Sequence, residues 1–547
     1  MKNIKILIAV FLLLAAASSC KKELDIKNPN QPTPESAGTE QGIISLAQGG
    51  VYVNGFRDLK YGDGVFGLFW SGAMGFHELM ADVIQAEAAN SFLNQIGDPD
   101  RVILSNGTVL VNPNAPSKQI EFVRSVNTNN QQGQNFTYYE WAYMYSLINS
   151  MNTVLGVVEN VTFSGDTASK KATIQAWAHY WKGFAYARIG SIYYAGLIVN
   201  TPAATNDNYV AKENVINESN AELDKAATLL TSVASAADYS DVLGKLIPLF
   251  SQVGKGGVLT PDEWKRSINT LKARNILVNK TISEMTAADW NAVLTLTNDG
   301  ITATDKVFTG RSNETGDFLS SGGEETVSGK VQHSQAGGNT YKLSERWVQD
   351  FKAGDNRFTN NVEQTAAWIG NSDRGQAFNT RFTLINGGAG MPGVVVYANV
   401  NVGENELFLA GNYEENELMK AEAKIYTADI NGGLASIDAV RNYQGAGLAA
   451  VANTGLTQEQ AVAELRSERR VALPFIGLSF YDARRWGRIY PLDQGGGRSP
   501  AVIVNNDSSV DPAATIEYNF LDYWDVPDNE IAYNAPAAGS ASIKNPK

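Results

Sequence analysis

Cysteine occurs once in the 547 residues, at Cys20, and histidine three times, at His77, His179 and His333. One thiol closes no internal disulfide and builds no thiolate metal centre. The histidines fall in no HExxH or comparable spacing, so a zinc site or a His-based triad is poorly supplied, and His179, inside the AWAHYW run, reads as a satisfied core residue. There is no G-x-S-x-G elbow, no phosphate-cradling G-x-x-x-x-G-K-S/T and no 12-residue calcium loop. One G-x-G-x-x-G match, at Gly62, Gly64 and Gly67, follows no strand-like run and reads as a flexible turn. Basic runs are missing beyond the first residues. With 44 Lys and Arg against 57 Asp and Glu the net charge is −13, which argues against nucleic acid as a partner. No cofactor or metal is called for. Carboxylates are plentiful enough for a glycosidase pair, but the densest cluster, Glu414, Glu415 and Glu417, reads as a solvated face near a helix start, where the dipole favours acid.

Long apolar runs are absent as well. The longest, Ile6 to Ala17, has about 12 residues where a bilayer span takes roughly 20. What is present is an export signal: Lys2 and Lys5 as a basic head, the apolar run, then Ala17, Ser18, Ser19 and the lone Cys20. A single cysteine at that place suits lipidation and reads as a membrane anchor. The mixed charges of Lys21 to Asp25 and the NPNQPTP run from Asn28 follow as a solvated tether. The organisation expected is a signal peptide over 1–20, a tether over 21–40 and one domain over 41–547.

A hydrophobic fraction of 44% argues for a packed core. Helical periodicity runs from Phe136 to Val158 and from Ala172 to Tyr194, where Ala178, Gly183 and Ala185 leave room for a neighbouring helix. A third helix runs from about Trp264 to Asn279 behind Pro261. The last group begins near Asn412, with Glu417 to Thr427 turning through Asn431–Gly433 into Leu434–Tyr443. Helix, glycine-containing turn, helix is the unit of a helical repeat. Residues 90–134, 295–340 and 354–401 differ in kind: rich in Gly, Asn, Ser and Thr, they read as long loops with short strands, which in a compact chain usually carry function.

The segment Leu465 to Trp486, LRSERRVALPFIGLSFYDARRW, places a charged helix before a break at Pro474–Gly477 and resumes it through Tyr481, Asp482, Arg484 and Arg485. It closely resembles the signature of the SusD/RagB family of outer-membrane nutrient-binding lipoproteins. The segments AHYWKGFAYARIGSIYYAGLIV, SERWVQDFKAGDNRF, ELMKAEAKIY, IDAVRNYQGAG and DYWDVPDNEIAYN agree with it in order, and the resemblance spans most of the chain. The ending Asn545–Pro546–Lys547 departs from the family's Asn-Pro-Gly. The resemblance implies a mainly α fold, a tetratricopeptide-like scaffold of four helix pairs with irregular loops and short strands packed on one side. It also implies a surface-exposed, lipid-anchored outer-membrane protein that binds glycan and delivers it to a SusC-like TonB-dependent transporter; capture of peptide or another nutrient is the alternative, an outer-membrane glycosidase a remote one. Glu468, Arg469, Asp482, Arg484 and Arg485 are then expected to tie helices together as ion pairs.

A pyranose offers an apolar face and a rim of hydroxyls, so its site needs an aromatic platform beside amide, carboxylate or guanidinium groups. The loops supply such sets: Phe92, Asn94, Asp100, Arg101 and Asn106; Phe308, Arg311 and Phe318; Trp368, Asp373 and Arg374; and Trp70 from the FGLFW run. These are the candidate ligand contacts.

Overall fold

The structure, a computed structural model, describes residues 37–56, 68–87, 95–112, 118–131, 135–312, 325–331, 341–370 and 375–547. The export signal, Cys20, most of the tether, Gly62, Gly64, Gly67 and His333 lie outside the described residues. Among those described, no helix is long and apolar enough to cross a membrane.

Helix α1 spans Glu40–Tyr52 and α2 Met74–Met80. The scaffold then runs through α3 (Phe136–Val158), α4 (Thr167–Ile192), α5 (Lys212–Thr231), α6 (Pro261–Val278) and α7 (Ala287–Asn298). It resumes with α8 (Tyr413–Tyr426), α9 (Ile430–Tyr443) and α10 (Gln458–Ala472), and the short α11 (Ser479–Arg485) follows. From α3 to α10 each helix packs on the next, which gives four consecutive pairs and the tetratricopeptide-like arrangement.

The helix starts are written in the sequence. Asn135 accepts from the Thr137 N–H at 3.2 Å and Asp166 from the Ala168 N–H at 3.2 Å. Thr260 and Glu263 form a capping box with Pro261 at the first helical position, and Thr457 with Gln460 forms another. Helix α4 is buried along nearly its whole length and lies between α3 and α5. Gly183 permits the closest approach to α5, since a Cβ there would stand 2.7 Å from Leu223 Cγ and 3.1 Å from the Ser219 carbonyl oxygen. Trp141, Trp177, Trp181 and Trp264 are fully buried, and each ring removes roughly 150–250 Å² from water.

The strands are short. β1 (Ile84–Ala86) pairs with β4 (Tyr341–Leu343), Gln85 opposite Lys342. β2 (Arg101–Ile103) and β3 (Val109–Val111) join β7 (Arg498–Val504) and β8 (Val510–Glu517) in a four-stranded sheet ordered β7-β8-β2-β3, while β5 (Val362–Trp368) pairs with β6 (Thr380–Leu384). Residues 95–112 are thereby tied to the C-terminal part of the chain. The same closure recurs where Trp524 donates its N–H to the Ile192 carbonyl at 2.7 Å and accepts from the Tyr194 N–H at 2.9 Å.

Two expectations need correction. The loop expected over 90–134 contains a helix, Lys118–Val126, besides β2 and β3, and that over 354–401 contains the helix Asn356–Asn361. Glu414 and Glu415 do not form a solvated face: both are buried, and Glu415 accepts from Arg274 on α6 through both oxygens. Glu417 alone stays partly open, paired with Lys420 at 3.1 Å.

Candidate functional site

The signature segment is a charge lattice that locks the scaffold. Asp482 on α11 accepts from Arg469 on α10 at 2.8 Å and from Arg485 at 2.8 Å, and Arg485 reaches back to both oxygens of Glu422 on α8 at 2.6 Å. Glu468 accepts from Arg357 at 2.6 Å and from Arg441 on α9 at 2.8 Å. Burial works to raise the Asp482 carboxyl; the two guanidiniums outweigh it and hold it below the usual carboxylate range. Glu468, Arg469, Asp482 and Arg485 therefore tie helices together. Arg484 behaves differently, spending its N–H groups on the carbonyl oxygens of Ser191, Asp522 and Val278. His179 meets Glu222 on α5 at 2.6 Å.

The candidate ligand residues fall into four groups. Trp70 and Phe308 are core residues, and the ligand role expected of them is corrected. Phe308 is 1% exposed among Trp177, Tyr180, Trp181 and Trp264, with ring centroids 5.2–5.5 Å away. Trp70 packs on Phe56 and Phe69 at 4.8 Å each. A ring so covered offers no face to a sugar. Arg311 is buried and held by Glu406 at 3.0 Å and the Gly403 carbonyl at 2.7 Å, so its charge is already engaged. The second group lies along the four-stranded sheet: half-buried Asp100 donates its N–H to the Glu517 carbonyl at 3.0 Å, exposed Arg101 pairs with the Glu517 carboxylate, and Asn106 sits exposed at the β2–β3 turn. Phe92, Asn94 and Phe318, with Asp373 and Arg374, lie outside the described residues.

Trp368 is the candidate with a platform geometry. It ends β5 half-buried, its ring edge-on to Phe378 at 4.8 Å, with the Lys342 ammonium 5.0 Å from its centroid. Lys342 pairs with Glu87 at 3.3 Å. Burial lowers the ammonium below its ordinary value, and Glu87 opposes that only in part. The Tyr341 hydroxyl donates to the Ser71 carbonyl at 2.6 Å, and the Val327 N–H to the Trp70 carbonyl at 3.1 Å. Chain positions 70–71, 87, 327, 341–342 and 368 are thus drawn together, all but Glu87 and Trp368 buried. Lys342 is buried and already paired, so the groups here that can meet a sugar are the partly open Trp368 ring and the Glu87 carboxylate beside it. Sequence reasoning passed over Lys342, Glu87 and Phe378; the YKL alternation of β4 between polar stretches was the available signal for Lys342.

Four stacked helix pairs carrying short strands and long loops define the chain as a helical-repeat fold. No family model matches the sequence, and no curated relative does. Solved structures do. A structure solved with xylogluco-oligosaccharide aligns with TM-score 0.55 at 13% identity, over 92% of this chain and 99% of its own. A SusD-like carbohydrate-binding protein from Bacteroides vulgatus gives 0.54 at 14% identity, over 92% and 98%. A sugar-binding protein so described from the same species gives 0.53 at 16%, over 91% and 97%. The chain has the SusD-like fold.

Proposed function

We propose that this protein is a surface-exposed outer-membrane lipoprotein, anchored through Cys20, that binds an oligo- or polysaccharide without altering it and passes it to a SusC-like TonB-dependent transporter. The observation that carries the reading is the fold: it aligns over more than nine-tenths of the chain with proteins described as carbohydrate-binding. The partly open Trp368 ring beside Glu87 supplies chemistry that fits, and the basic head, apolar run and lone cysteine supply the address.

Affinity electrophoresis tests it. The lipid-free chain from Lys21 onward, run through native gels containing soluble plant, fungal and host polysaccharides, should be retarded by at least one of them without release of reducing ends. Trp368→Ala should weaken or remove that retardation; a nucleobase stacked on an aromatic contributes roughly 1–3 kcal/mol, a factor of about 5 to 150 in affinity, and a loss of that order is expected here. Retardation by none of the panel would move the reading to peptide capture. Retardation insensitive to Trp368→Ala would move the site away from Trp368.

A further inference from the structure

A cleft of about 620 Å³ opens where Tyr194 beyond α4, Lys212 at the start of α5, the end of α6, Tyr490, Tyr523 and the 545–547 segment meet. That volume lies within the range of ligand pockets. In a chain of net charge −13, the balance of charged side chains on this cleft is positive: Lys212, Lys280, Arg484, Arg485 and Lys547 against Glu284 and Asp522.

Most of these charges are already answered. Lys280 pairs with Asp289 at 2.6 Å, Arg485 with Glu422, and Lys212 with Glu213. Glu284 is engaged by the Thr281 N–H at 2.8 Å and Asp522 by the Asn545 amide at 2.7 Å. Two cations are satisfied differently, although the carboxylates of Asp522 and Asp100 also act on Lys547. Arg484 donates to three carbonyl oxygens, and Lys547 donates to the carbonyl of Phe520. Carbonyls accept hydrogen bonds and cancel no charge. Each cation is instead seated on a ring, Arg484 at 4.0 Å from the Tyr523 centroid and Lys547 at 4.4 Å from that of Tyr490.

Lys547 stands where the family resemblance calls for glycine, and its position is fixed rather than incidental. The Asn545 N–H donates to Asp525 at 2.8 Å, its amide to the Tyr523 carbonyl at 2.8 Å, and its carbonyl accepts from Arg124 at 2.7 Å. Burial holds the Lys547 ammonium below its ordinary value, and the carboxylates of Asp522 and Asp100 oppose that in part.

We propose that this cleft is a second ligand site that receives the carboxylate of a sugar acid, a uronate unit of an acidic glycan, on Lys547 and Arg484, with Tyr490 and Tyr523 as its walls. It rests on the reading of the chain as a glycan-binding protein and adds a charge class to its cargo.

Isothermal titration of the lipid-free chain with trigalacturonate at neutral pH, at low and at high salt, tests it. Trigalacturonate should bind, a neutral trisaccharide should not bind here, and salt should weaken the interaction. Lys547→Gly should cut the affinity about tenfold, the loss of one charge-assisted contact, and Lys547→Glu should abolish it, with circular dichroism showing both variants folded. No binding of trigalacturonate, or binding that Lys547→Gly leaves intact, overturns the proposal. Retardation by neutral polysaccharides in the gel assay together with a blank titration sinks this inference alone. Blanks in both assays sink the glycan reading with it.

Discussion

Replacing Asp482 by Ala probes the charge lattice where it is most exposed to failure. The carboxylate is 4% exposed and is the ion-pair partner of Arg469 and one of two for Arg485. Its removal leaves the Arg469 guanidinium buried beside a methyl group. Breaking a buried pair from one side costs about 3–5 kcal/mol, against about 0–1 for an exposed one. With roughly 450–500 ordered residues the unfolding entropy is on the order of 1 kcal/mol/K, so the melting temperature should fall by about 3–5 °C in differential scanning calorimetry. Asp482→Asn keeps an acceptor oxygen without the charge and should fall by about half as much. The double variant Arg469→Met with Asp482→Leu removes the stranded cation and should recover most of the loss. The pH dependence has a fixed sign: a carboxyl held below its unfolded value of about 3.9 stabilises the fold above that pH and ceases to do so as pH falls through the folded value. The gap between wild type and Asp482→Ala should therefore be full at neutral pH and close in acid. A fall below 1 °C, or a double variant worse than the single, would refute the argument that this segment works as a lock.

Phe308→Ala should cost about 3–5 kcal/mol through the cavity it leaves among four aromatic rings, read as a fall of about 3–5 °C, while retardation by glycan stays as in wild type; lost retardation in a variant that melts normally would return Phe308 to the ligand site. Glu78 is fully buried, and that burial pushes its carboxyl up to about 7 although the Ser479 hydroxyl and Gly477 N–H bind its oxygens. The folded chain then holds this proton to a higher pH than the unfolded chain does, so its contribution declines from about pH 4.5 to 7, by about 3 kcal/mol in all. Glu78→Gln cannot titrate, and its melting temperature relative to wild type should rise by about 3 °C between pH 4.5 and 8; a constant difference across that range would show that Glu78 is ionised throughout.

The helix Phe136–Val158 was legible from end to end, because its apolar repeat is continuous and Asn135 caps it. Helix α4 was legible from Ala172 onward but begins at Thr167: its first turn is polar, and only the capping side chain of Asp166 marks the start. The signature carboxylates and guanidiniums could be read as helix ties because their pattern matched a known one, whereas Glu414 and Glu415 could not. An acidic pair at a helix start looks solvated until Arg274, some 140 positions earlier, is brought opposite it. The loop aromatics expose the same limit. Phe308 and Trp368 have similar polar surroundings in sequence, and what separates them is that the tryptophans of α4 and α6 converge on one and not on the other.

The seam between residues 101–193 and 515–545 governs how the chain can acquire its fold. β2 has its ladder partner in β8, Trp141 donates its indole N–H to Glu530 at 3.2 Å, and Tyr193 lies against Trp524. These contacts span about 330 to 415 positions, so the chain has a large non-local component despite its helical content, and closing it is an entropically slow step. A chain extended only to about residue 500 would leave Trp141, Tyr193 and the β2 edge uncovered, a sticky intermediate with an unpaired strand. The first helix pair therefore gains its last cover only from the far end of the polypeptide.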